Sequence, residues 1–318
     1  MDIRPQDLPE LRTEMIRQRH QVGDKAIGEL HRHDTVVADW FGLNAQQVAH
    51  IETNKLAHAT LFHVSREMTE LAIEASRTLP GFGADAQDFP AEVGLIFFNG
   101  GIPASWGGYP VRIHAASWQA LEDCAEYAFF LDTASVLSII EGKGDHLREA
   151  FHIDASSTEG LWFNDVTRSV LMFCEGVDED QADRLRDQAG EVRGPAGEAG
   201  VTSTGLHALR SALLLMQQPL AEASEAQPDR AARKRLLRAG QNPAVVRVIE
   251  LRQPSKSASG TADGSGREYH HRWITRGHWR NHWHPKRQIH RPVWIAPHIK
   301  GPEGAPLIGG EKVYALKR

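Results

Sequence analysis

The stretch from Tyr269 to Lys300 constrains the fold more than any other part of the chain. Between Tyr269 and Trp283, aromatic and small residues hold most odd positions, whereas arginine and histidine hold most even positions. Successive side chains of a strand point to opposite faces, so this alternation predicts one β-strand with an aromatic face and a cationic face. Pro285 removes a backbone donor and ends the pairing, and residues 290–295 are predicted to return as the neighbouring strand.

The same stretch is a basic island in an acidic chain. It holds seven of the 17 histidines, four of the eight tryptophans and seven lysines or arginines. No acidic residue lies between Glu268 and Glu303, although the 318-residue chain carries a formal net charge of -5. Clustered charges of one sign raise the local concentration of ligands of the opposite sign. We therefore expect this surface to face a polyanion.

Nucleic-acid binding is the first function that the pattern predicts. Arg272, Arg276 and Arg280 recur every four residues on one face, about 13 Å apart at the rise of a strand. A second basic surface is predicted on a helix over 228–239, which begins with a proline and is followed by a glycine. Phosphate contacts supply most of the affinity for nucleic acid and weaken as salt is added. The predicted phosphate-contacting residues are Arg272, Arg276, Arg280, Lys286, Arg287, Arg291, Arg233 and Arg235.

Residues 35–54 resemble a helix-turn-helix. Such a motif needs a small residue where the helices cross, a turn glycine and an apolar residue that docks the second helix. These are Ala38, Gly42 and Val48. On the second helix, the amides of Gln46 and Gln47 are suitable donors to base edges of DNA. Two amphipathic helices joined by any glycine turn meet the same spacing, so plain helical packing is the alternative.

Catalysis and metal binding are two further interpretations of the cationic face. In a metal-free cleavage of a phosphodiester, His278 and His282 would act as acid and base while Arg276 or Arg280 stabilises the developing charge. His282 and His284 lie two apart and form a weak candidate pair of metal ligands. No carboxylate lies near them in sequence and the surrounding cations oppose a metal ion, so no metal or other cofactor is expected.

The chain as a whole predicts an α+β fold, in which a helical N-terminal region precedes a mainly antiparallel sheet flanked by helices. Residues 1–80 form the mainly helical region, and residues 81–318 form an α+β domain. This domain includes an acidic, glycine-rich insertion over 176–200 and the Trp/His/Arg-rich strands over 269–318. The other predicted elements are helices over 8–33, 65–79 and 206–220, strands over 94–98, 111–117, 127–132, 245–252 and 313–316, and a loop over 100–110.

Composition favours a cytoplasmic protein. The chain is 41% hydrophobic and 24% charged, with a pI near 6.4, and no apolar run approaches the roughly 20 residues of a membrane span. The N-terminal residues are charged and lack the apolar core of a secretory signal. Only two cysteines occur, Cys124 and Cys174, which suits reduced thiols better than a disulfide framework.

The C-terminal sequence HRWITRGHWRNHW, followed by HRPVWIAPHIKGPEGAPL, resembles the end of a group of actinobacterial hypothetical proteins, often from plasmids, phages or integrated elements. The sequences LLLMQQPL, RAARKR and VVRVIELR resemble the same group, so the resemblance covers residues 200–318 and, more weakly, 60–130. It implies a bacterial cytoplasmic setting and no mechanism.

Three functions therefore stay open at this point. The favoured one is a regulator or accessory factor of a mobile element or defence system that binds DNA or RNA. The second is a toxin-like nuclease. The third is an interaction module whose basic face docks an acidic protein, and a homodimer is compatible with each of the three.

Overall fold

Helices flank one large mixed sheet in the part of the chain that the computed structural model describes. The described residues are 3–18, 45–79, 86–106, 109–121, 124–132, 161–163, 169–172, 201–252, 272–285 and 289–300. This architecture confirms the predicted α+β class, with a helical N-terminal part and a sheet whose pairings are mainly antiparallel. None of the described helices is long and apolar enough to cross a membrane.

The described elements comprise five α-helices and twelve strands. The helices are α1 (8–18), α2 (Ala45–His58), α3 (Arg66–Ser76), α4 (Val201–Met216) and α5 (Arg230–Arg238). The first strands are β1 (Thr60–Val64), β2 (Val93–Trp106), β3 (Tyr109–Ala120), β4 (Cys124–Asp132), β5 (Leu161–Phe163) and β6 (Ser169–Met172). The remaining strands are β7 (Ala221–Ala226), β8 (Val246–Leu251), β9 (Trp273–Thr275), β10 (His278–His284), β11 (Ile289–Ile295) and β12 (His298–Lys300).

The large sheet has the strand order β5-β4-β3-β2-β1-β8-β7, and β6 also pairs with β4. Strand β1 runs parallel to both of its neighbours, β2 and β8, whereas the other pairs are antiparallel. Sequence periodicity does not predict β1. Its five residues lie directly between two helices, and so short a run shows no period of its own. A strand at the centre of the sheet therefore lies inside the region over 1–80 that was expected to be mainly helical.

The two faces of the sheet carry separate apolar cores. Phe62 of β1 belongs to the core beneath α3 and α4, whereas the preceding Leu61 belongs to the core beneath α1 and α2. This alternation along β1 is the period of two expected for a strand buried on both faces. Full burial of one such side chain stabilises the fold by about 1.5 to 3 kcal/mol, so each core contributes substantially.

Helices α3 and α4 form where their sequences predict helices. The Ser65 Oγ atom accepts a hydrogen bond from the Met68 backbone N–H at 3.2 Å, which caps the first turn of α3. Met68, Ala72 and Ala75 recur at helical spacing and are buried. In α4, Gly205 lies so close to the Phe129 ring that an added Cβ would come within 2.8 Å of it.

Helices α1 and α2 cover the other face and include buried charges. The Arg12 guanidinium donates to the carbonyl oxygens of Ala59 at 3.4 Å and Asn242 at 3.0 Å. Burial lowers the pKa of Arg12 below its ordinary value. In α2, the Lys55 ammonium donates to the Glu52 carboxylate at 2.8 Å, and both side chains are only 1% exposed. Because both charges lose their hydration on burial, such a pair adds little net stability.

Strands β2 and β3 run through the segment that was predicted to be a loop over 100–110. Glycine and proline suggested a turn, but a β-bulge between Phe97 and Ile102 accommodates the extra residues. Gly100 and Gly101 have φ values of 85° and 70°, a left-handed conformation that L side chains rarely adopt. Pairing with β3 therefore continues to Trp106, in place of the expected turn.

The C-terminal strands form two small sheets, which corrects the prediction of one strand from Tyr269 to Trp283. Strand β9 pairs with β12, β10 pairs with β11, and Arg276 and Gly277 lie between β9 and β10 outside any strand. A Cβ on Gly277 would come within 2.4 Å of the Trp294 ring, so close packing at this point favours glycine. The predicted return of 290–295 is confirmed by the antiparallel pairing of β11 with β10.

Several predicted features lie outside the described residues. They are the helical residues 19–33, the first half of the helix-turn-helix over 35–44, the insertion over 176–200, the strand over 313–316, and Lys286 and Arg287.

Candidate nucleic-acid interface

The hairpin of β10 and β11 is anchored to the body of the protein by two tryptophans. Trp279 and Trp294 pair across the hairpin, with ring centroids 5.4 Å apart and planes at 66°. They are only 7% and 5% exposed. The Trp279 Nε1–H group also donates a hydrogen bond to the Ala75 carbonyl oxygen at 2.8 Å, at the end of α3. This edge-to-face arrangement is a favourable geometry for an aromatic pair.

Two polar contacts fix the returning strand. The Trp294 backbone N–H donates to the Gln218 Oε1 atom at 3.0 Å, just beyond α4. The Arg291 Nη2 atom lies 2.6 Å from the Asp88 Oδ1 atom, in an ion pair whose side chains are 19% and 12% exposed. A two-stranded hairpin is marginally stable alone, so these contacts to the body hold it in one orientation.

Arg291 therefore has a structural partner. The sequence predicted that this residue contacts phosphate, but its guanidinium neutralises a largely buried carboxylate. Its removal would take this ion pair away from a largely buried carboxylate, which is costly. We accordingly leave Arg291 out of the residues proposed to bind a ligand.

The outward face of β10 carries three exposed cationic or titratable side chains. His278, Arg280 and His282 occupy alternate positions of β10, and all three are exposed. The His278 Nδ1 atom is hydrogen-bonded to the Arg276 carbonyl oxygen at 3.1 Å, so Nδ1 is the protonated nitrogen in this contact. The prediction of a cationic face thus holds for β10, but the break at Arg276 keeps that residue off the same strand.

The two histidines proposed for metal-free catalysis are not brought together. His278 and His282 lie four positions apart on one regular strand, which separates their Cα atoms by about 13 Å. A general acid and a general base must both reach the reacting atoms of a single phosphodiester. Parallel side chains at this separation are suited to contacting successive groups of an extended ligand.

Metal binding finds no support among the described residues. In that part of the chain, no group of three or more His, Cys, Asp or Glu side chains is placed to hold a metal ion. His282 and His284 both belong to β10, but the placement of the His284 side chain lies outside what the structure describes.

Helix α5 provides a second basic surface. The Asp229 carboxylate caps it by accepting a hydrogen bond from the Ala232 N–H at 2.7 Å, and this bond lowers the pKa of Asp229. Ala232 and Leu236 are buried, while Leu237 is 62% exposed on the opposite face. The remaining exposed side chains of this helix include the cations Arg230, Arg233, Lys234, Arg235 and Arg238.

Only part of the α5 surface is available to a ligand. The Arg235 guanidinium makes two hydrogen bonds to the Glu10 carboxylate, at 2.6 Å and 2.9 Å, which raise the pKa of Arg235. Arg233, the other predicted contact on this helix, is exposed. Gln46 and Gln47 belong to α2, but their side chains lie outside the described residues.

Trp283 departs from the predicted buried aromatic row. It is 45% exposed, and its ring makes a tilted contact with the His290 ring, with centroids 4.8 Å apart and planes at 52°. The sequence also did not indicate the contacts made by Asp88 and Gln218, which lie 203 and 76 positions from their partners. No local pattern marks such long-range pairs.

Comparisons with models of protein families, with curated protein sequences and with solved structures found no match to this chain.

Proposed function

We propose that the protein binds nucleic acid through exposed side chains of the β10–β11 hairpin. We call these side chains the hairpin surface, with His278, Arg280 and His282 on one face of β10 and Trp283 and His290 on the other. The observation that carries the proposal is the combination of an acid-free basic segment with a rigid attachment to the body. Cations held in place before binding lose less conformational entropy when they meet phosphates.

Arg280 is the central phosphate contact in this proposal. Its side chain is exposed on the middle of β10, and a guanidinium pairs with phosphate oxygens through two parallel hydrogen bonds. His278 and His282 lie two positions away on either side, about 6 to 7 Å along the strand. An extended sugar-phosphate backbone along β10 would therefore meet a donor side chain at each step.

The resemblance of the C-terminal sequence supports a bacterial setting for this activity. A regulator or accessory factor of a mobile element or defence system fits a protein that holds nucleic acid without cleaving it. The wide separation of His278 and His282 on one strand favours this role over that of a metal-free nuclease. We propose a cytoplasmic location on the same basis.

Salt-dependent binding of labelled oligonucleotides tests the proposal. The wild-type protein should bind at low salt, with a logarithm of affinity that falls linearly with the logarithm of salt concentration. Arg280→Gln should weaken binding to all sequences alike and reduce the magnitude of the salt slope by about one. Arg17→Gln is the matched control, because it removes one positive charge from an exposed arginine that pairs with Glu14 on α1.

Fluorescence anisotropy measures both quantities. Absence of binding at low salt would contradict the proposal, as would equal effects of Arg280→Gln and Arg17→Gln. Equal binding of polyglutamate and of oligonucleotides would instead favour an interaction module for acidic proteins.

A further inference from the structure

Trp283 is the exception among the tryptophans whose side chains the structure describes. Trp118, Trp279 and Trp294 are 0%, 7% and 5% exposed, whereas Trp283 is 45% exposed. The Nε1–H groups of Trp118 and Trp279 each donate to a backbone carbonyl of the body, at 2.9 Å and 2.8 Å. Packing of the core therefore accounts for three tryptophans and leaves the exposed ring of Trp283 without a structural role.

The surroundings of Trp283 suit a flat ligand with hydrogen-bonding edges. Its ring contacts the His290 ring across the hairpin, so one neighbour supports the indole while the rest of it stays exposed. Asn281 lies two positions earlier on the same face of β10 and is exposed, so its amide offers a donor and an acceptor close to the indole. We call this group of three residues, Trp283, His290 and Asn281, the hairpin platform.

A histidine and an arginine lie immediately next to the platform. His282 precedes Trp283 in sequence and points to the opposite face of β10, as does Arg280. In the described part of the chain, β11 is the one strand that pairs with β10, so the other edge of β10 has no strand neighbour there. A chain that crosses this edge meets an aromatic ring on one side and positive charge on the other.

We infer that the hairpin platform stacks an unpaired nucleobase, so that the ligand of the hairpin surface is single-stranded nucleic acid. This inference rests on the proposed function and specifies its substrate. Every base has a π-face that stacks on an indole, whereas a base pair within a duplex has both of its faces covered by neighbours. The Asn281 amide reaches the edge of the stacked base, and that edge is free only when the base is unpaired.

The nucleotide then spans the edge of β10. Its base lies on Trp283, and its phosphate lies against Arg280 and His282 on the other side of the strand. Indole stacking supplies affinity that tolerates any base sequence, and the cations supply affinity that depends on salt. The two contributions are therefore separable by experiment.

Trp283→Ala separates them, with oligo(dT), a matched DNA duplex and polyphosphate as the three probes. Polyphosphate carries the charge without bases. Trp283→Ala should lower the affinity for oligo(dT) about tenfold, because stacking of one base is lost. Affinities for polyphosphate and duplex, and the salt slope for oligo(dT), should stay at their wild-type values.

Two further variants control the measurement. Trp283→Phe keeps an aromatic face, so we expect it to retain most of the affinity for oligo(dT). Leu237→Ala removes another exposed apolar side chain, on α5, and should leave all three affinities unchanged. Stacking should also quench the emission of Trp283, and this quenching should disappear in Trp283→Phe although oligo(dT) still binds.

Each remaining outcome counts against a defined part of the reasoning. If Trp283→Ala binds oligo(dT) as the wild type does while Arg280→Gln is weakened, the platform is refuted and nucleic-acid binding stands. If Trp283→Ala lowers the affinity for polyphosphate as much as the affinity for oligo(dT), the ring only positions the charged side chains and does not stack bases. If wild-type protein binds polyglutamate but neither oligo(dT) nor polyphosphate, both the function and the platform are refuted.

Discussion

Replacing Trp279 by alanine is expected to release the β10–β11 hairpin from the body while the large sheet stays folded. Trp279 contacts the end of α3 through its indole and pairs edge-to-face with Trp294. The other described anchors of the hairpin are the Gln218 hydrogen bond and the ion pair between Arg291 and Asp88. The strands of the large sheet keep their own pairings, and the core that Trp279 joins contains many other buried side chains, so the loss should be local.

The free energy lost in Trp279→Ala can be worked out from the burial of the indole. Trp279 is 7% exposed, and a buried aromatic side chain hides about 200 Å². At about 25 cal/mol per Å², that burial stabilises docking by at most about 5 kcal/mol, and Trp→Ala changes in cores cost about 3 to 5 kcal/mol. The Nε1–H hydrogen bond to Ala75 contributes about 1 kcal/mol of net stability. Trp279→Phe should therefore lose about 1 kcal/mol, because a ring still fills the site.

Hydrogen exchange followed by mass spectrometry distinguishes local release from global unfolding. Protection of peptides covering 278–295 should fall at least about 100-fold in Trp279→Ala and about fivefold in Trp279→Phe. Peptides covering 94–98 and 111–117 should keep their wild-type protection. Unchanged protection of the hairpin in Trp279→Ala would refute the docking argument, and an equal loss in β2 and β3 would show that the hairpin and the sheet unfold together.

Two further predictions concern a bulge glycine and a helix cap. Gly101→Ala should destabilise the protein by about 3 kcal/mol in urea unfolding, because φ is positive and the new Cβ would lie 2.8 Å from the His114 ring. Gly240→Ala is the control: its φ is also positive but an added Cβ meets nothing within 4 Å, so about 1 kcal/mol is expected, and equal losses would contradict the role of His114. Asp229→Asn should flatten the acid dependence of stability, because the Ala232 N–H bond lowers the folded pKa of Asp229, and this contribution is present above the ordinary pKa and lost as pH falls through the lowered one. Urea midpoints that fall in parallel for both proteins between about pH 6 and about pH 3 would refute this assignment.

Local patterns predicted most of the described regular structure. Short strand-prone runs predicted parts of β2, β3, β4 and β8, and an N-cap serine with apolar residues at helical spacing predicted α3. These patterns succeed because strand and helix geometry repeat within a few residues. The prediction did not include β1, β7, β12 or the bulged continuation of β2. A short run between helices, such as β1, and a pair of glycines carry no clear period.

The sequence predicted which residues form the candidate site, and the structure corrected how they are arranged. The sequence identified the cationic face that holds His278, Arg280 and His282, and it identified the returning strand that pairs with it. It also placed Trp279 and Trp283 on one face of a strand, as the structure does. The prediction continued the strand through Arg276 and Gly277, which lie outside any strand in the structure, with Gly277 close against Trp294.

Alternation along a strand determines which side chains share a face, and the sequence alone sufficed for that. Whether another element covers that face depends on residues far away in the chain. The end of α3 buries Trp279, whereas Trp283 extends beyond such cover and stays exposed. Arg291 was predicted to contact phosphate, but it pairs with Asp88, which lies 203 positions away in the chain, and so anchors the hairpin. Only the tertiary structure brings such distant partners within hydrogen-bond distance, and it therefore decided which cations and which indole are left to meet a ligand.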